Sequence, residues 1–201
     1  FRLSVGALPF LLPLMLQLGF GLSAFASGLL TFAGAAGAMT MKLTASPILR
    51  RFGFRRVLQV NAVLSSAMMA ACALFTAETP HLLIIAVLLV GGFFRSLQFT
   101  SLNTLGYADI EQPQMSQATA FVAVVQQLSL AAGVAVAAML LEASRSADAR
   151  SLLVAADFSR AFLAISLVSL ASLWLYRQLA ADAGAEVSGH RLIDDRSGDG
   201  G

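Results

Sequence analysis

Six stretches of mainly apolar residues constrain this sequence more than any other feature. They cover residues 3–20, 26–49, 57–76, 82–105, 117–141 and 158–175. A helix that crosses the hydrocarbon core of a membrane needs about 20 such residues, because the core is about 30 Å thick and a helix rises about 1.5 Å per residue. Each stretch must be helical in lipid, since an isolated strand would leave backbone groups unpaired. The sequence therefore predicts an all-α integral membrane protein, a bundle of six transmembrane helices.

Composition excludes several classes of function. Charged residues make up only 12% of the chain, whereas a soluble domain usually carries about a quarter. The 13 basic and 11 acidic residues nearly balance, which argues against nucleic acid as a partner. Cys72 is the only cysteine, so the chain has neither an intrachain disulfide nor a cysteine-rich metal cluster. We find no nucleophile and base at a plausible spacing, and we expect no enzyme activity, cofactor or metal.

Arginines predict the orientation of the bundle. Four of them lie in "RRFGFRR", residues 50–56, between the second and third stretches, and short loops rich in Arg usually lie in the cytoplasm. Six crossings then place both ends of the chain on the cytoplasmic side. Residues 1–179 would form the bundle, and the polar, Gly-rich residues 180–201 a disordered cytoplasmic tail. The chain begins at Phe1 rather than Met, and we expect it to be a piece of a longer protein.

Polar side chains interrupt the apolar stretches, mostly in the fourth and fifth. A central Lys or Arg costs about 2.5–3.5 kcal/mol on insertion, so such residues usually face a partner or a polar cavity. Snorkelling to the interface is the alternative for the two cations, Lys42 and Arg95. We predict that the following residues line an aqueous substrate pathway: Lys42, Arg95, Gln98, Phe99, Asn103, Gln126 and Gln127.

Small residues predict where helices approach one another. Steps of three and four residues form one stripe in the second stretch and another in the fifth. The stripes are Thr31, Ala35, Ala38, Lys42, Ala45, and Thr119, Ala123, Gln126, Gly133, Ala137. Pro9 and Pro13 each lack a backbone donor, which predicts a local kink in the first helix.

The segments "PFLLPLMLQLGFGLSAFASGLL", "RRFGFRRVL" and "FTSLNTL" resemble the carboxy-terminal half of a major facilitator superfamily transporter. The likeness is greatest to the bacterial fourteen-helix branch of drug:proton antiporters. It implies two bundles rocking around a central site, with six or eight further amino-terminal helices that carry the coupling acids. It also implies a gating loop formed by Arg51, Gly53, Arg55 and Arg56, although Arg50 stands where the family has Asp.

Three functions are compatible with these observations. The first is a proton-coupled secondary transporter that exports small amphipathic compounds or drugs across the bacterial inner membrane by alternating access. Its partners would be membrane lipid, the missing helices, a small-molecule substrate and the proton. The second keeps the fold but binds an anionic metabolite through Lys42 and Arg95. The third is a non-transporting membrane scaffold subunit that dimerises.

Overall fold

The computed structural model describes residues 1–107, 110, 112–148 and 152–180, and this part of the chain contains helices and no strand. The predicted all-α fold is thereby confirmed, whereas the predicted disordered tail lies outside the described residues beyond position 180. Five α-helices are present: α1 Arg2–Leu14, α2 Ala24–Cys72, α3 His81–Gly106, α4 Met115–Ala147 and α5 Ala155–Arg177. A π-helical turn, Met15–Gly19, extends α1, and a 3₁₀ turn, Gln112–Gln114, precedes α4.

Helix α2 contains two of the six predicted crossings. Its 49 residues would extend about 73 Å if straight, more than twice the thickness of the hydrocarbon core. The helix is interrupted at Gly53, where φ is 70° and ψ is 161°, a conformation that is essentially restricted to glycine. Five described helices are long and apolar enough to cross a membrane. With α2 divided into residues 24–52 and 54–72, they supply six crossings.

Two helix pairs approach so closely that only glycine fits between them. A Cβ atom on Gly37 of α2 would overlap the carbonyl oxygen of Leu89, and one on Gly92 of α3 would overlap that of Gly34. The pair α1 and α4 is joined in the same way through Gly133, whose added Cβ would overlap the carbonyl oxygen of Leu3. Such contacts replace the hydrophobic driving force that is missing between helices in lipid.

The small-residue stripe predicted for α2 is displaced by about one residue. Gly34, Gly37 and Met41 are buried, whereas Ala35 and Lys42 are exposed. The sequence presents small residues all round this part of the helix, so spacing alone could not select the contact face. Glycine does so, because it allows two backbones to touch where alanine would hold them apart.

The helices of the fifth and sixth crossings extend further than predicted at the membrane side opposite residues 50–56, which we call the arginine loop. Helix α4 ends at Ala147 and α5 begins at Ala155, so Asp157 belongs to a helix and not to the predicted loop of residues 142–157. Its carboxylate is fully buried and accepts hydrogen bonds from the Val154 backbone N–H at 2.9 Å and the Ser144 hydroxyl at 2.6 Å. These bonds satisfy an otherwise free N–H at the start of α5 and fix α5 to α4.

Candidate functional site

Arg2, in the first turn of α1, brings three helices together. Its Nη1 donates a hydrogen bond to Oε1 of Gln126 on α4 at 2.9 Å, and its Nη2 donates to Oδ1 of Asn103 on α3 at 2.6 Å. The guanidinium carbon also lies 5.5 Å from the ring centroid of Phe99, within the range of a cation–π contact. We call these four residues the Arg2 cluster.

Helical spacing explains how α3 contributes two members of the Arg2 cluster. Phe99 and Asn103 are four residues apart and therefore lie on one face, one turn after the other. All four side chains are partly exposed, so a molecule outside the bundle can reach them. The cluster offers a cation, two amides and an aromatic ring, which can bind a polar group and stack against a flat apolar one.

Three of the seven predicted pathway residues, Phe99, Asn103 and Gln126, thus belong to one cluster. The residue that joins them, Arg2, was not among the predicted pathway residues and lies at an end of the chain that the sequence predicts to be cytoplasmic. Its position at the edge of an apolar stretch resembles that of an ordinary interfacial arginine. Only the helix packing shows that its side chain points between α3 and α4.

Arg95 lies elsewhere, inside the bundle. It borders a cavity of about 30 Å³ between α1, α3, α5 and residues 65–72 of α2, which has room for one or two water molecules. The guanidinium lies beside Gly34 of α2, since a Cβ on that glycine would be 3.4 Å from Nη2. Among the described residues, no carboxylate lies within ion-pair distance of Arg95. The structure therefore places Arg95 next to a small void lined mainly by apolar residues and by three serines, and its part in a pathway stays a prediction.

Gln98 has different surroundings from Arg95 and Phe99, although all three were predicted to line one pathway. Its side chain is fully buried. The amide nitrogen donates to the Leu58 carbonyl oxygen at 3.3 Å, and Oε1 accepts from Nδ2 of Asn61 at 3.1 Å. In this conformation Gln98 links α3 to residues 54–72 of α2 and lines no open path.

Asn61 is a polar residue that the sequence analysis did not select. It is buried, and besides Gln98 it binds the Phe94 carbonyl oxygen at 2.6 Å. A single Asn in an apolar helix is a signal that could have been noticed, since an unpaired amide in lipid is costly. The remaining two predicted pathway residues, Lys42 and Gln127, are exposed. They belong neither to the Arg2 cluster nor to the hydrogen-bonded pair of Gln98 and Asn61.

The arginine loop is attached to the end of α5. Arg55 donates a hydrogen bond to the Arg177 carbonyl oxygen at 3.2 Å, and one turn later Gln59 donates to that of Tyr176, also at 3.2 Å. Arg51 packs over the Phe52 ring, with 5.6 Å between the guanidinium carbon and the centroid. Gly53 supplies the turn itself, so the loop geometry depends on a residue that tolerates positive φ.

Comparison with known proteins identifies relatives over most of the chain. The sequence profile described as Major Facilitator Superfamily matches residues 1–192. A "Probable transport protein HsrA" from Haemophilus influenzae is 34% identical over 178 residues, which is 89% of this chain and 38% of that protein. A "Putative multidrug resistance protein MdtD" is 36% identical in Pectobacterium atrosepticum and 37% in Salmonella paratyphi B, over 70% of this chain and 30% of each relative.

The chain therefore spans about a third of the length of these relatives. No solved structure matches it.

Proposed function

Because the chain belongs to the Major Facilitator Superfamily, we propose that it contributes one six-helix bundle to a proton-coupled transporter that exports small amphipathic compounds across the bacterial inner membrane. Similarity to proteins described as multidrug resistance and transport proteins supports export of drug-like molecules. The partner would be a second bundle of the same carrier, with which this one rocks in alternating access around a site between them.

The Arg2 cluster is the observation that carries this proposal. An amphipathic compound needs an apolar surface and a few hydrogen-bonding groups, and the cluster supplies Phe99 together with two amides. It also joins three helices through a single side chain. A substrate that competes for the amides of Asn103 and Gln126 would loosen α1 from α3 and α4, which couples binding to helix movement.

Proton coupling would require an acid from the second bundle. Asp157 is the only fully buried carboxylate among the described residues, and its hydrogen bonds at the start of α5 give it a structural role. The gating role of Arg51, Gly53, Arg55 and Arg56 follows from the same proposal. The Gly53 turn and the Arg55 contact with α5 would transmit movement between α2 and α5.

A carrier for an anionic metabolite is the second candidate. Neither Arg2 nor Arg95 has a carboxylate within ion-pair distance in the described part of the chain. Two cations without a carboxylate partner would favour an anionic substrate, because an ionised acceptor binds a guanidinium roughly twice as strongly as a neutral one.

Transport into everted membrane vesicles tests these candidates, using the protein at its natural length. We expect uptake of a fluorescent amphipathic cation that stops when a protonophore collapses the pH gradient. Asn103→Leu and Gln126→Leu should lower the rate or change the range of compounds, whereas Gln117→Leu, an exposed position on the same helix, should not. Arg95→Ala and Gln98→Ala test two further predicted pathway residues, and an unchanged rate and substrate range in both would contradict their place in the pathway.

Each part of the proposal has its own contrary result. Unchanged rates and substrate range in Asn103→Leu and Gln126→Leu would show that the cluster does not line the pathway. Uptake that continues at the same rate in the presence of the protonophore would refute proton coupling. Inhibition by carboxylic acids but not by cationic dyes would favour the anion carrier, and absence of any transport would favour the scaffold.

A further inference from the structure

An apolar groove of about 390 Å³ lies between the two segments of α2 and helix α3, within the range of about 300–1,000 Å³ that ligand sites occupy. Phe93, Phe94 and Leu97 form one wall, and a stripe of α2 from residue 56 to residue 64 forms the other. The stripe is about 12 Å long at 1.5 Å per residue. It runs from the arginine loop into the apolar part of the bundle.

This groove is distinct from the Arg2 cluster. Leu97 and Phe99 lie about 160° apart around α3, and Phe94 and Asn103 about 180° apart, at 100° per residue. The two sites therefore lie on opposite sides of the helix. A ligand in the groove would therefore not touch the Arg2 cluster, although Arg56, which lines the groove, also belongs to the proposed gating loop.

The open side of the groove is apolar and its end is cationic. Phe52 and Val60, both lining residues, are 44% and 53% exposed. Arg56, at the loop end, is exposed, and no hydrogen bond or ion pair to it is present among the described residues. By contrast, Arg55 in the same loop is bound to the end of α5.

We propose that this groove binds an anionic phospholipid, with one acyl chain along the apolar walls and the phosphate at Arg56. An elongated apolar groove that ends in a cation at the level of the arginine loop complements a lipid of the adjoining leaflet in both shape and charge. Basic pockets between transmembrane helices recognise anionic head groups in this way. The exposed rim of Phe52 and Val60 provides the path by which an acyl chain enters.

Native mass spectrometry of the natural-length protein, titrated in detergent with phosphatidylglycerol or phosphatidylcholine, tests the proposal. Arg56→Gln should weaken phosphatidylglycerol binding about five-fold, the loss that corresponds to one surface arginine, and should remove the preference for it. Arg177→Gln is the matched control, since Arg177 is also exposed and does not line the groove.

A second pair of variants separates the groove from the charge. Val60→Trp should fill the groove and weaken binding of both lipids, whereas Val63→Trp, on the same helix segment and 43% exposed, should leave binding unchanged. Melting curves of all four variants identify any that fail to fold.

Three results would overturn the proposal. Equal lipid binding in Val60→Trp and Val63→Trp would show that the acyl chain lies elsewhere. Displacement of phosphatidylglycerol by excess inorganic phosphate would indicate a simple anion site. Loss of transport in Val60→Trp without a change in lipid binding would indicate that another part of the carrier covers the groove.

Discussion

Arg2→Gln in the natural-length carrier should remove the hydrogen bonds that join α1 to α3 and α4. Hydrogen bonds between helices in a membrane average about 0.6 kcal/mol, and a charged donor roughly doubles that value. The two bonds to Asn103 and Gln126 therefore contribute about 2.4 kcal/mol. The partly exposed contact with Phe99 adds about 0.5–1 kcal/mol.

Removing the charge also relieves part of its desolvation. That relief is at most about 1 kcal/mol, because Asn103, to which Arg2 is bound, lies within the last turn of α3 and charges near the interface cost far less than central ones. The free energy of unfolding should therefore fall by about 2–3 kcal/mol. Arg2→Lys should lose about half as much, since one ammonium keeps its charge near Phe99 but lacks the planar fork that reaches two acceptors.

Unfolding of the detergent-purified protein, followed by heat or denaturant, measures the loss. Arg177→Gln, an exposed arginine at the end of α5, should stay within about 0.5 kcal/mol of the parent. A double-mutant cycle between Arg2→Gln and Asn103→Leu should give a coupling energy of about 1 kcal/mol. If the losses of unfolding free energy in Arg2→Gln and Asn103→Leu are additive, the hydrogen bond between Arg2 and Asn103 does not stabilise the protein. Equal losses in Arg2→Gln and Arg177→Gln would contradict the prediction in the same way.

Three further substitutions test the packing. Gly53→Ala should lower the free energy of unfolding by about 1–3 kcal/mol, because alanine is strained at φ 70°. The control is Gly28→Ala, in open space within α2, which should be neutral or stabilising. Gly92→Ala should lower the melting temperature more than Gly28→Ala, since its Cβ meets the Gly34 carbonyl; equal melting would contradict the close approach of the helices. Gln98→Leu should cost about 1–2 kcal/mol by leaving buried polar groups unpaired, whereas a comparable loss in exposed Gln127→Leu would show that burial is not the cause.

The sequence predicted the crossings because hydrocarbon thickness fixes the length of an apolar helix whatever surrounds it. It also located the break between the second and third crossings, since a glycine flanked by arginines cannot continue an apolar span. The ends of the helices were predicted less accurately than their number. Asp157 was assigned to a loop, because a carboxylate normally excludes a residue from a span, yet its hydrogen bonds within the first turn of α5 make burial possible.

For the candidate site, the sequence identified the types of residue, whereas the packing of the helices determined which of these residues contact one another. Asn103 and Gln126 were identified because polar side chains within apolar stretches are uncommon, and Phe99 because it lies among such residues in the fourth stretch. Arg2 can contact all three because of the angle at which α1 crosses α3 and α4. The spacing of residues within a single helix carries no information about that angle. The same holds for Gln98, whose partner Asn61 lies on another helix.

The amino-acid sequence alone determined that this chain lies in a membrane, how often it crosses and where it turns, because each property depends on the local exchange of water for lipid. Tertiary structure alone decided which face of each helix is buried, that Arg2 and not Arg95 joins the polar residues, and that a groove opens beside Arg56. In lipid the helices have no hydrophobic drive to sort their faces, so glycine contacts and hydrogen bonds between distant residues make that choice.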